Sequence, residues 1–322
     1  MKKSSEYHKM FTKWREMGLY SAVFGGIGLA LTMLNYEYDV VMFKTKLEPS
    51  LIPNAMDDVR NAKSWTNTIR IVIFLTTIMA IICLIMRHHY KIEWFNKYFQ
   101  DDSETAIYCQ YNEIIMGRNS NEVKHRKRLF RRNLFMEIAM LMVCPIPFFD
   151  MYITLHSKDK KEVYILLSDI ILAFMLVRTF FLVRTCVNYT VYTDAYSKKL
   201  CKSYGFDAGV RFTFKCMILE SPGLTFFLTF SISVFLQTYM LRIFEMPYFR
   251  TIATSDSNFE AMDAFFNSLW CVIITMTTVG YGDIAPSTMP GRSVAMVVAL
   301  YGAFLISLLV ATMSSFIELN TS

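Results

Sequence analysis

Thr277-Thr278-Val279-Gly280-Tyr281-Gly282-Asp283 lies between two apolar stretches, Phe259–Met276 before it and Ser293–Phe316 after it, and the reading of this arrangement decides the fold. The leading stretch is too short and too interrupted for an ordinary membrane span, so it reads as a re-entrant helix that dips into the bilayer and returns. Glycines at 280 and 282 alternate with Val279 and Tyr281, the pattern of a main chain that must turn successive carbonyls toward one axis through angles that glycine tolerates and most residues do not. A ring of such carbonyls replaces the hydration shell of a desolvated K⁺. The carbonyls of Thr278, Val279, Gly280 and Tyr281, with the Thr278 hydroxyl, are the expected ligands, and Gly282 completes the strand. One copy cannot surround an ion, so four chains are expected about one axis, most simply as a homotetramer.

The rest of the chain agrees with this setting. Its 322 residues are 54% hydrophobic, above the roughly 45–50% of soluble domains, with a mean hydropathy of +0.32. Runs of apolar residues give six spans: Gly18–Leu34, Ile69–Met86, Leu134–Leu155, Val163–Val187, Leu224–Phe244 and Ser293–Phe316. The expected fold is an all-α membrane protein with six transmembrane helices, a re-entrant pore helix and a filter. Arg126, Lys127, Arg128, Arg131 and Arg132 precede the third span, whereas the loop Asn35–Thr68 mixes Lys with Glu37, Asp39, Glu48, Asp57 and Asp58. The positive-inside rule then places both termini in the cytoplasm, with the plasma membrane as the expected location. The formal charge of +6 arises beside the spans, which argues against a nucleic-acid partner and for membrane lipid. The seven cysteines form no CxxC pair or His-spaced cluster, and neither paired carboxylates nor a nucleophile constellation marks an enzyme. His88-His89 beside Arg87 reads as a solvated membrane boundary.

Around the filter, Trp270 stands thirteen residues before Asp283, a spacing that lets its indole N–H reach the carboxylate and brace the filter from behind, with Thr277 at the junction. The alternative role for Trp270 is interfacial anchoring. The pore helix directs its carboxyl end, with partial negative charge, toward the ion path. The sixth span holds no proline between Ser293 and Phe316, so a straight inner helix is expected. Gly302 serves there either as a hinge or for close packing against the pore helix. Ala311, Thr312 and Ser315, at helical spacing, come near the axis as a mildly polar gate.

A voltage sensor needs several arginines at every third position of the fourth span. Only Arg178 and Arg184 occur there, and Phe181 between them is apolar, so weak voltage dependence is expected. Arg178 is expected to pair with Asp150, Asp169 or Glu137. The segment Thr190–Glu220 carries Lys198, Lys199, Lys202, Arg211 and Lys215, with Gly205 as a break.

Several further segments resemble the small- and intermediate-conductance calcium-activated potassium channels. These are Met136-Glu137-Ile138 through Cys144-Pro145-Ile146-Pro147, Tyr192-Thr193-Asp194-Ala195, Ser221-Pro222-Gly223, and, at the family's distances from Gly280, Gly291, Gly302 and Ile317-Glu318-Leu319. The resemblance runs from Leu19 to Leu319. It implies K⁺ as the permeant ion, Ca²⁺ sensed through calmodulin, a linker of two short cytoplasmic helices on which calmodulin acts, and three further copies or close paralogues as partners. It implies a cytoplasmic N-terminus over 1–17, a sensor-like four-helix domain over 18–187, linker helices over 188–222, a pore domain over 223–317 and the start of a cytoplasmic tail over 318–322. Two departures bear on gating: the family's calmodulin-binding helices would lie beyond Ser322, and Ser315-Phe316 replaces its basic pair. The alternatives are a voltage-gated subunit with a depleted sensor and a non-conducting structural subunit of a membrane complex.

Overall fold

The computed structural model describes residues 2–46, 64–101, 132–149, 151–156, 162–204, 208–252, 262 and 264–320. Among them run α1 (Lys2–Lys46), α2 (Ser64–Asp101), a third helix α3 over 132–142, and the strands β1 (Tyr152–His156) and β2 (Glu162–Leu166). Then follow α4 (Leu167–Met175), a 3-10 turn (Leu176–Arg178), α5 (Thr179–Asn188), α6 (Ala195–Ser203) and α7 (Val210–Glu220). The chain continues with α8 (Pro222–Ile252), α9 (Phe265–Met276) and α10 (Met289–Asn320). Five helical segments of the described residues are long and apolar enough to cross a membrane: Lys9–Val40, Thr66–Glu93, Leu167–Asn188, Pro222–Tyr248 and Met289–Ala311. On α2, Val72, Leu75, Met79 and Ile82 are exposed, as expected of a face whose solvent is lipid.

The third and fourth spans depart from the hydropathy reading. Instead of one helix over Leu134–Leu155, α3 stops at residue 142, and Cys144-Pro145-Ile146-Pro147 runs on without helix. Proline lacks the N–H that a helix needs and disfavours α geometry in the residue before it, so two prolines one residue apart end the helix. Phe148 then takes a left-handed φ of 62°. Beyond the break, β1 and β2 pair antiparallel, Tyr152 opposite Leu166 and His156 opposite Glu162. Val163 and Ile165 are buried while Tyr164 between them is exposed, the period of two that a half-buried strand requires. The fourth span accordingly begins at Leu167, not at Val163. Gly205 and residues 124–131 of the basic cluster lie outside the described residues, as do Asp150 and much of the Asn35–Thr68 loop.

The chain divides into two compact units. One comprises Met1–Thr32, Ile69–Cys144 and Val177–Thr213. Its core is Ala22 of α1, Ala80 and Leu84 of α2, Leu141 of α3 and Phe181 of α5. Small residues let α1 approach closely, as in helix packing without a hydrophobic drive between helices. A Cβ on Gly26 would meet Leu182 at 3.1 Å, and one on Gly28 would meet Arg178 Nη1 at 3.1 Å.

The space at Gly28 helps to house Arg178, which is 1% exposed. Rather than an acid, its Nη2 finds the carbonyls of Leu141 at 2.7 Å and Val143 at 2.8 Å, and the Thr77 hydroxyl at 3.2 Å. The cause lies in the broken third helix: the last carbonyls of any helix lack intrahelical donors, and the early stop leaves these two for the guanidinium. Glu137, one of the acids expected for Arg178, instead accepts from Arg184, from Arg87 at 3.1 Å, and lies 3.3 Å from His88 Nε2. Arg87 and His88 are therefore buried, 6% and 5% exposed, and not the solvated boundary their composition suggests. An acid facing them from α3 outweighs their preference for water.

The second unit comprises Met33–Thr68, Pro145–Leu176 and Phe214–Ser322. Here α8, α9 and α10 pack on one another, with β2 against α8. Val163, Val234, Leu241, Val272, Met276 and Val298 share its core. Arg242 of α8 pairs with Glu37 of α1 at 2.9 Å.

Candidate ion-coordinating site

The segment after α9 is shaped by hydrogen bonds that consume its amides on one side. Thr278 N donates to Thr275 O at 3.1 Å, and Val279 N and Gly280 N both donate to Ile274 O, at 3.0 and 3.1 Å. Three successive N–H groups thus turn back to the pore helix, so the carbonyls are left for the opposite side. Positive φ falls on every second residue, Thr278 at 62°, Gly280 at 59° and Gly282 at 77°. Alternation of handedness keeps successive peptide groups from facing opposite ways, as an ordinary strand would make them. Glycine meets this need freely at 280 and 282. Thr278 does not, because a β-branched residue at positive φ is a true outlier, a strain of about 1–3 kcal/mol held by its surroundings and typical of functional segments. In the single chain Val279 and Tyr281 are 54% and 68% exposed.

The supports expected behind the strand come together. Trp270 Nε1 donates to Asp283 Oδ2 at 2.9 Å, and the indole stacks on the Tyr281 ring, centroids 5.7 Å apart and planes within 7°. Thr277 points the other way, its hydroxyl donating to Ile273 O at 2.8 Å and so extending α9 by a turn. Cys271 Sγ reaches Ile284 O at 3.4 Å.

Two supports were not read from the sequence. Glu245 of α8, fully buried, accepts from Ser287 N and Thr288 N at 2.9 Å each and from the Thr288 hydroxyl at 2.7 Å. Thr288 caps α10 by accepting from Gly291 N at 3.0 Å. A carboxylate at a helix N-terminus meets orphan amides and the positive dipole end together. Gly291 is required there, since a Cβ would lie 1.9 Å from Glu245 Oε1. Arg292 Nε donates to Pro286 O at 3.3 Å, tying the same turn. A lone Glu near the end of an apolar run was the available signal for Glu245, but its partners lie over forty residues away.

Gly302 sits against the end of α9: a Cβ there would come within 2.5 Å of the Met276 Cα and carbonyl oxygen. Of its two sequence readings, close packing is the one with a contact to account for it. α10 runs unbroken through Ala311, Thr312 and Ser315. Ala311 is exposed in the single chain, and the side chains of the other two lie outside the described residues.

Residues 223–319 match the family model described as ion channel. Over 192 residues, 58% of its length, the chain is 28% identical to the small conductance calcium-activated potassium channel protein of Drosophila melanogaster. It spans only 20% of that relative. The chain is thus similar over its segment 223–319 to the ion channel family, and over 58% of its length to a small-conductance calcium-activated potassium channel.

Proposed function

We propose that this chain is the pore-forming subunit of a potassium-selective channel in which four copies surround one ion path. The observation that carries this reading is the strand Thr278–Gly282, whose first three amides are tied back to α9 while φ alternates in sign, leaving its carbonyls free to line an axis. Thr278, Val279, Gly280 and Tyr281 then supply the K⁺ ligands, and Trp270 with Asp283 stiffens the strand from behind. Four such strands exchange the water shell for carbonyl oxygens. Conduction is passive, and the membrane is the plasma membrane with both termini cytoplasmic. Ala311, Thr312 and Ser315 form the inner gate.

Gating is weakly voltage-dependent and governed by calcium through calmodulin. The calcium half of this statement rests on the similarity to the calcium-activated relative. The voltage half rests on the small number of charges: Arg178 is held by carbonyls and Arg184 by Glu137, too few to draw the roughly 2.3 kcal/mol per charge per 100 mV into a steep response. Flux from purified protein in liposomes tests conduction. K⁺ efflux well above Na⁺ efflux is expected, and its loss of selectivity in Gly280→Ser is expected with it. Equal K⁺ and Na⁺ flux in the unmodified protein would remove the assignment.

A further inference from the structure

We propose that the pocket lined by Trp14, Arg15, Arg87, Arg184, Tyr189 and Lys198 binds a phosphate-bearing anion, either as a lipid headgroup or as a soluble phosphate compound. All these residues lie within the first unit and line one partly open pocket. Four cations line it and no acidic side chain does.

Two carboxylates near these cations are already engaged. Asp194 holds Arg15 Nη1 at 2.6 Å, and Glu137 serves Arg87 and Arg184 together. Among the described residues Lys198 forms no ion pair. Its ammonium instead sits over the Trp14 ring at 4.3 Å and the Phe11 ring at 5.0 Å. Arg15 stacks on Tyr189 at 4.5 Å, and its buried Nε finds no hydrogen-bond acceptor. Asp194, Glu137 and, beside Tyr189, Glu16 face the four lining cations and Lys91, which leaves an excess of positive charge around a partly enclosed space, an arrangement that is costly unless an anion enters.

Burial, followed by repulsion from Lys91, Arg15 and Arg87, pulls the Lys198 ammonium down to about 7, with Asp194 opposing. A cation held at the edge of losing its proton is what a site lacking its counter-ion looks like. Guanidinium forks match the oxygens of phosphate bidentately. Placement fits as well. Trp14 and Arg15 stand near the start of the first span, Arg87 near the end of the second, and Arg184 and Asn188 in the last turn of the next. Under the orientation proposed above this is cytoplasmic headgroup depth, where anionic lipid is concentrated.

The test uses the full chain in phosphatidylcholine nanodiscs. One arm includes a minor fraction of phosphatidylinositol 4-phosphate in the bilayer, and the other adds inositol trisphosphate to the buffer. Bound ligand is counted by native mass spectrometry, with hydrogen exchange followed over 12–22 and 184–198. Wild type is expected to retain ligand and to gain protection in both segments. Arg15→Gln/Lys198→Gln is expected to lower retention about tenfold or more, equivalent to about 1.4 kcal/mol, and Lys198→Arg to keep it. Because Arg15 also pairs with Asp194, Lys198→Gln alone, with thermal stability measured alongside, separates lost binding from lost fold. Retention only from the bilayer identifies a lipid headgroup, and retention of inositol trisphosphate identifies a soluble phosphate compound. Retention unchanged in the double variant, or lost instead in Lys127→Gln/Arg128→Gln, would overturn the proposal. None of these readouts depends on ion conduction, so the pore assignment stands or falls separately.

Discussion

Replacing Gly302 by alanine separates two roles with opposite signs. If Gly302 only loosened α10, alanine would stabilise the helix by up to about 1 kcal/mol, the ordinary gain over glycine in a helix interior. The structure argues for the reverse. A Cβ at 302 would lie 2.5 Å from both the Cα and the carbonyl oxygen of Met276, and a backbone has no rotamer by which to withdraw. Restoring van der Waals contact requires α9 and α10 to separate by about an ångström. Overpacking of this kind costs typically about 1–3 kcal/mol, so after the helix gain Gly302→Ala should lose about 1–2 kcal/mol. The displacement also reaches the proposed filter: Met276 is two residues from Ile274, whose carbonyl holds Val279 N and Gly280 N at 3.0 and 3.1 Å. A shift of that size takes both beyond hydrogen-bonding range. The expected result is a lower melting temperature by fluorescence-detected size exclusion and reduced K⁺ over Na⁺ selectivity in liposome flux. Gly209→Ala, at a glycine with nothing within 4 Å, serves as control. A Gly302→Ala protein more stable than wild type, with selectivity intact, would refute the packing argument and restore the hinge.

Asp283→Asn and Trp270→Phe should couple in a double-mutant cycle by about 1 kcal/mol, read as accelerated loss of conduction, since both act through one hydrogen bond; independent effects would show that the 2.9 Å contact has no functional weight. Glu245→Ala should destabilise the protein by about 2–4 kcal/mol, because it strands the amides of Ser287 and Thr288 at the start of α10; a melting temperature within a degree of wild type would contradict this. Lys198 gives a pH test: with its folded value lowered to about 7, the unfolded chain binds the extra proton from pH 7 up to about 10, so stability should rise with pH across that window, and Lys198→Met should flatten the rise. Cysteines placed singly at positions 311 to 316 should react with a cytoplasmic thiol reagent in a state-dependent manner, and uniform modification would place the gate elsewhere.

The sequence alone determined what depends on neighbours in the chain. The proposed filter is a main-chain device, so Thr277–Asp283 announces itself through glycine spacing, and the strand with the helix before it folds within a single stretch of chain. The Trp270–Asp283 bond also spans only thirteen residues. Long apolar runs revealed five of the spans for the same reason, since hydropathy is a local sum. That sum also misled, because it ignores backbone period: Leu134–Leu155 is apolar throughout, yet Pro145 and Pro147 end the helix and the residues beyond alternate as strands. Only the tertiary structure decided where the buried charges go. Arg178 turned to carbonyls freed by that broken helix, and Glu137 gathered Arg87, His88 and Arg184. Glu245 capped a helix forty residues further along. Charge partners are chosen by proximity in space and by the cost of desolvation, and neither is written in the spacing of residues along the chain.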